Sequence, residues 1–131
     1  MYNEIEGDIL QQYNLGIEAT LEIIGGKWKA LIICLLMSGP KRTGALQRLI
    51  PKISQKVLVQ QLRELEQDGL VSRTVYEEMP PKVEYAITEY GKTANQIVDV
   101  MCAWGRENIR LRQQRGEAVA LADAKPLPEQ L

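Results

Sequence analysis

Apolar residues recur at helical spacing through four successive stretches, switch to alternation, and then return to helical spacing. Ile17, Leu21 and Ile24 share one face, and Gly25-Gly26 ends that first helix. From Lys27 to Met37 the residues Trp28, Leu31, Ile32, Leu35 and Leu36 form a broad stripe that predicts central core, closed by Ser38-Gly39-Pro40. Thr43 is a candidate cap for a short third helix carrying Leu46, Leu49 and Ile50, with Pro51 as its stop. Ser54 caps a fourth helix in which Leu58, Leu62 and Leu65 line one edge, while Gln55, Lys56, Val59, Gln60, Arg63 and Gln67 line the other, until Asp68-Gly69. Val71, Arg73 and Val75 then alternate with Ser72, Thr74 and Tyr76, and a second strand runs from Lys82 to Ile87. The link between them, Glu77 to Pro81, predicts a stiff hairpin tip. Thr88 caps a long final helix whose apolar positions Tyr90, Ala94, Ile97, Met101 and Trp104 make a heptad-like seam, continued by Ile109 and Leu111.

With 131 residues the chain is expected to form one domain, divided as an N-terminal arm (1–16), a structured unit (17–115) and a C-terminal tail (116–131). Its 45% hydrophobic and 25% charged residues suit a globular protein with a core. The longest apolar run, Ala30 to Met37, is far short of the roughly 20 residues a membrane helix needs, and the start of the chain is acidic rather than basic. A cytoplasmic location without membrane partners is therefore expected. The sequence contains no histidine, which removes His-based acid/base chemistry, His-activated nucleophiles and His-containing metal sites. Two cysteines, Cys34 and Cys102, cannot make a four-thiolate zinc site. No metal, no cofactor and no enzymatic activity are expected, with Glu18, Glu22 and Glu84 the faint acid candidates.

The net charge of −1 conceals a division along the chain. Residues 1–26 carry five acids and no base, whereas residues 27–82 carry ten bases against five acids. Local charge on one face governs attraction to phosphates within a Debye length of about 8–10 Å. On charge alone, a solvated basic face is the better explanation of the segment.

The order of four helices, a two-stranded hairpin and a long helix reads as a mainly α winged helix-turn-helix with a small β-hairpin and a long C-terminal dimerisation helix. In that architecture the helix from Ser54 to Asp68 enters the DNA major groove and the hairpin wing touches flanking backbone. Two apparent phosphate-loop endings are decoys: Gly91-Lys92-Thr93 has Ala86 where the first glycine belongs, and Gly26-Lys27 has Leu21 there.

The segments Gly25-Gly26-Lys27-Trp28, Gly39-Pro40-Lys41-Arg42, Ile53 to Leu58, Gln61 to Val71, Pro80 to Tyr85 and Thr88 to Gly91 resemble, in order and spacing, the HxlR-type transcriptional regulators. These are small bacterial dimeric winged-helix proteins related to the MarR regulators. The resemblance runs from about Ile17 to Trp104 and departs at three places. Leu15 and Gly16 stand where many members carry a sensing cysteine, Thr43 stands in place of a usual phenylalanine, and Lys82 in place of a usual arginine, losing the bidentate fork.

The resemblance implies a homodimeric regulator on a pseudo-palindromic operator of double-stranded DNA. Gln55, Lys56 and Gln60 are spaced to face the groove, with Arg63 on the same edge. Ser54 serves as cap and phosphate donor, Lys41, Arg42 and Lys82 hold phosphates, and Val59 either meets a thymine methyl or packs at the core's edge. Leu21, Ile24, Ile97, Met101 and Trp104 are the expected dimer interface, because such a seam exposes too much apolar surface for a monomer. Trp28 is expected in the core or at the dimer edge, and Cys34 as an inert buried thiol. Cys102 is expected to pack in the interface, with a redox role as the alternative, so a small-molecule or redox effector stays open. The competing class is a winged-helix protein-interaction module that binds no DNA.

Overall fold

The computed structural model describes residues 2–5 and 8–122, so most of the expected C-terminal tail (116–131) lies outside the described residues. It opens with an antiparallel hairpin, β1 (Tyr2–Ile5) and β2 (Asp8–Gln11), paired from Tyr2↔Gln11 to Ile5↔Asp8. The sequence reading assigned no strands to this arm. Glu22 on α1 (Gly16–Ile24) accepts hydrogen bonds from Tyr13 Oη at 2.9 Å and Gln11 Nε2 at 3.2 Å, fastening the chain that follows the hairpin. Glu18 Oε1 accepts from the backbone N–H groups of Asn14 and Leu15, both at 2.7 Å, so a carboxylate satisfies donors at the start of α1. Two of the acids considered for chemistry are thus structural acceptors.

Next comes α2 (Lys29–Leu36), in which Ile32, Ile33, Leu35 and Leu36 are buried. The expected stripe needs correcting here: Leu31 is exposed and Ile33 takes a core place. The helix is nearly all apolar, so its period carried little information, and it is buried on most sides by its neighbours. The helix-turn-helix follows as α3 (Thr43–Leu49) and α4 (Gln55–Gln67). Thr43 is the first helical residue rather than the cap, a place taken by Arg42 with no side-chain capping bond. Buried Ile50 and Ile53 anchor the intervening turn, and Gln47 Nε2 donates to Ile53 O at 3.2 Å.

The expected ends of α4 are present. Ser54 Oγ accepts from Val57 N at 3.1 Å, a cap typically worth about 1 kcal/mol. At the other end Leu70 N bonds to Leu65 O at 2.9 Å and Gly69 N to Glu66 O at 3.0 Å, a geometry that puts Gly69 at φ +84, where a side chain would be strained. Leu58, Leu62 and Leu65 are fully buried, each worth roughly 1.5–3 kcal/mol of hydrophobic stabilisation.

The wing consists of β3 (Val71–Tyr76) and β4 (Lys82–Ile87), paired antiparallel from Val71↔Ile87 to Tyr76↔Lys82. It gains a third member that the sequence did not reveal: Lys41 and Tyr85 exchange two backbone hydrogen bonds of 2.9 Å. The base of the wing is latched to the end of α4, since Thr88 Oγ1 donates to Gly69 O at 2.7 Å and Thr88 N donates to Leu70 O at 3.0 Å.

The single long helix expected after Thr88 is two helices, α5 (Glu89–Lys92) and α6 (Asn95–Gln114). Thr88 caps only the first, accepting from Gly91 N at 2.9 Å. Tight bonds from Thr93 N to Tyr90 O and from Ala94 N to Gly91 O turn the chain between them. Gly91 is pressed so closely on Leu70 that a Cβ would lie 2.1 Å from its carbonyl oxygen, which fixes this corner against the strand. The inner face of α6 carries buried Val98 and half-buried Cys102 against α2, following buried Ala94.

Candidate nucleic-acid interface

The local chemistry of α4 separates two faces: a leucine edge sunk into the core, and an open surface formed by Gln55, Lys56, Val59, Gln60 and Arg63 with Glu64 and Gln67. All six residues expected on the polar edge of the helix, Gln67 included, thus share one surface. Gln55, Lys56, Gln60 and Arg63 are exposed and Val59 is half-buried beside them. Ser54 adds an exposed hydroxyl at the helix start, already engaged as the cap. Amide groups can pair bidentately with adenine edges, and cations with guanine edges or phosphates.

A second cluster lies between α3 and the wing, where Arg42, Arg48 and Lys82 line one open hollow with Thr43, Pro81 and Val83. Arg42 and Lys82 were expected as phosphate ligands, whereas Arg48 was not singled out. Its place four residues after Gly44 on the same short helix carries no signal of this role, since a Cβ on Gly44 would meet the Arg48 guanidinium at an ordinary 3.7 Å. Lys82 is partly engaged, with Nζ 3.6 Å from the Glu84 carboxylate and 5.0 Å from the Tyr76 ring centroid. Tyr76 Oη donates to Glu84 Oε1 at 3.2 Å, and the Glu84 charge pushes the phenol pKa upward. Glu84 therefore has an electrostatic task in the outer half of the wing. Lys41 differs from its neighbour Arg42: half-buried, it donates from Nζ to Ser38 Oγ at 2.9 Å.

The expected dimer residues divide. Leu21 is 58% and Trp104 69% exposed, and Ile97 and Met101 are also open to solvent, joined by Ile17 and Val100. Ile24 belongs instead to the core, buried behind Leu21. Beside it a shallow apolar cavity of about 270 Å³ opens between α1 and α6, lined by Ile23, Ile24, Leu70, Tyr90, Ala94 and Ile97. Trp28 is half-buried against the core with Lys27 Nζ 4.8 Å from its ring centroid.

Both cysteines are free and half-buried, Cys34 on α2 and Cys102 on α6. Burial, then the neighbouring Cys102 and more weakly Asp99, push the Cys34 thiol up to about 11. At neutral pH it stays protonated and is a poor nucleophile. Among the described residues there is no group of three or more Cys, Asp or Glu side chains placed to hold a metal ion, and no helix is long and apolar enough to cross a membrane.

A helix-turn-helix whose second helix offers an open amide-rich, cationic face, flanked by a hairpin that carries a lysine beside its tip, defines a winged-helix DNA-binding protein. The comparisons with known proteins place it more narrowly. The sequence model of the HxlR-like helix-turn-helix family matches residues 23–113, and the chain belongs to that family. It is 57% identical over 99 residues to the uncharacterized HTH-type transcriptional regulator YtcD of Bacillus subtilis (strain 168), covering 76% of this chain and 79% of that one. It is 53% identical over 108 residues to YkvN of the same organism, covering 82% and 92%. Among solved structures, the redox regulator HypR in its reduced form superposes with a TM-score of 0.70 at 46% identity, covering 75% of this chain and 97% of that one. The protein is a DNA-binding transcriptional regulator with a winged helix-turn-helix fold.

Proposed function

We propose that the protein works in the cytoplasm, without catalysis, as a homodimer on a pseudo-palindromic duplex operator, with residues 17–115 as the unit that reads and dimerises and with 1–16 and 116–131 as its flanking arm and tail. The observation that carries this reading is the pairing of two open faces of opposite chemistry in one small chain: the amide and cation face of α4, and the apolar stripe of Leu21, Ile97, Met101 and Trp104. A polar face of that kind suits base edges and phosphates, and an apolar one suits a second copy of itself. Two-fold symmetry then sets half-sites about 34 Å apart or multiples of it.

Gln55, Lys56, Gln60 and Arg63 read the groove in this proposal, Val59 meets a thymine methyl, and Ser54, Arg42, Lys82 and Lys41 hold backbone phosphates. Arg48 joins the phosphate group because it shares the hollow with Arg42 and Lys82. Cys102 packs α6 against α2 rather than sensing oxidants. Its neighbour Cys34 is protonated at neutral pH and therefore slow to complete an exchange. The test is binding to duplex fragments from upstream regions against random competitor across a salt series. A preferred fragment is expected, with affinity falling at a log–log slope of about −0.9 per phosphate contact. Equal binding to all fragments would overturn operator recognition.

A further inference from the structure

Lys56, Gln60 and Glu64 stand four residues apart on α4 and form one row along its open face. A carboxylate in that row is out of place beside nucleic acid, since phosphates repel it and the groove offers it chiefly cytosine amino groups. Glu64 is, however, partnered from behind. Lys29 Nζ lies 2.7 Å from Glu64 Oε1, joining the first turn of α2 to the last turn of α4.

Lys29 is an expensive residue for its place. It is 8% exposed, and among the described residues it is the one charged side chain buried with the core. It also stands at the amino end of α2, where the helix dipole disfavours a cation. Taking the ammonium out of water costs desolvation energy that a half-exposed partner repays only in part, so stability alone is a weak reason for the lysine. What the lysine alone supplies is a positive charge against Glu64.

We propose that Lys29 is a positioning residue for DNA recognition, its ammonium drawing the Glu64 carboxylate back against α2 and cancelling its charge, so that Lys56 and Gln60 meet DNA without a free anion in their row. The proposal rests on the reading that the open face of α4 contacts DNA. Glu64 is 39% exposed at its side chain, so releasing it from Lys29 leaves a carboxylate with access to the DNA side.

Lys29→Met keeps the length of the side chain and removes the charge. Its operator affinity is expected to fall about tenfold at low salt, with the deficit shrinking as salt rises and screens the freed carboxylate. Lys29→Met/Glu64→Gln removes both charges and is expected to return to within about threefold of the parent affinity, because no anion remains to repel DNA. Lys29→Arg is expected to bind as the parent does. A purely structural strut would leave the double variant as weak as the single one, and that result would overturn the proposal, as would parent affinity in Lys29→Met. If Lys29→Met fails to fold by circular dichroism, Lys29→Gln, which retains a donor for Glu64, carries the same comparison. Lys56→Ala/Gln60→Ala measured in parallel separates the two claims: loss of affinity there with none in Lys29→Met rejects only the positioning role, whereas no loss there rejects the DNA-contact face itself.

Discussion

Helices α4 and α6 are both amphipathic, and they solve opposite problems. In α4 the apolar stripe of Leu58, Leu62 and Leu65 is wholly inside, and what remains outside is polar. In α6 the inner stripe consists of Val98 and Cys102, while Ile97, Val100, Met101 and Trp104 are left outside. The first helix is complete in water and free to exchange water for a polar partner. The second is incomplete in water, since about 25 cal/mol is gained for each Å² of apolar surface it covers. An exposed face thus names its partner by its chemistry: nucleic acid in one case, protein in the other.

The largest effect expected from breaking this contrast comes from charging the apolar side. Met101→Asp/Trp104→Asp is expected to convert a dimer to monomer in sedimentation and, by removing the second half-site contact, to lower operator affinity by more than about 100-fold, as loss of avidity does. A variant that stays dimeric would remove α6 from the interface.

Stripping the polar side is expected to do less and to leave assembly untouched. Lys56→Ala/Gln60→Ala should weaken operator binding by roughly 10- to 100-fold, since a good base contact discriminates by about 1–3 kcal/mol, with an unchanged sedimentation profile. Retained operator affinity would take the groove assignment away from α4.

The smallest effect concerns the seam between α2 and α6, where Cys34 faces the inner stripe. The Cys34 thiol is raised to about 11 in the folded protein from an ordinary value near 9.0, so the native state holds this proton more tightly than the unfolded chain. Its contribution to stability is therefore whole below pH 9 and is lost as pH rises toward 11. Thermal melts across pH 8–11 should show a steeper loss of stability in the parent than in Cys34→Ala, and parallel curves would contradict the burial that raises this thiol.

How much of this was written in the sequence depends on the range of the forces involved. Ser54, Gly69 and the leucine edge of α4 act within a turn or two, and helix, cap and open face all came out as expected. The hairpin was legible from its alternation and from Glu77 to Pro81 at its tip. The break at Thr93 and Ala94 was hidden because the apolar spacing runs through the tight turn unchanged, and the close approach of Gly91 to the Leu70 carbonyl beside it joins distant parts of the chain. Ile33 was missed because an almost uniformly apolar helix has no informative period. Arg48 joins Arg42 and Lys82 only when the wing folds beside α3. The pairing of Lys29 with Glu64 likewise needs two helices to cross before it exists.

The bridge between Lys41 and Tyr85 is made by main-chain atoms alone. Backbone hydrogen bonds are indifferent to the side chains they carry, so the frame that fixes the start of α3 against the wing does not depend on a lysine at 41 or an arginine at 42. The grip on DNA at this edge can therefore be strengthened or loosened by substitution while the scaffold stands still, which lets overall affinity be retuned at little risk to the fold.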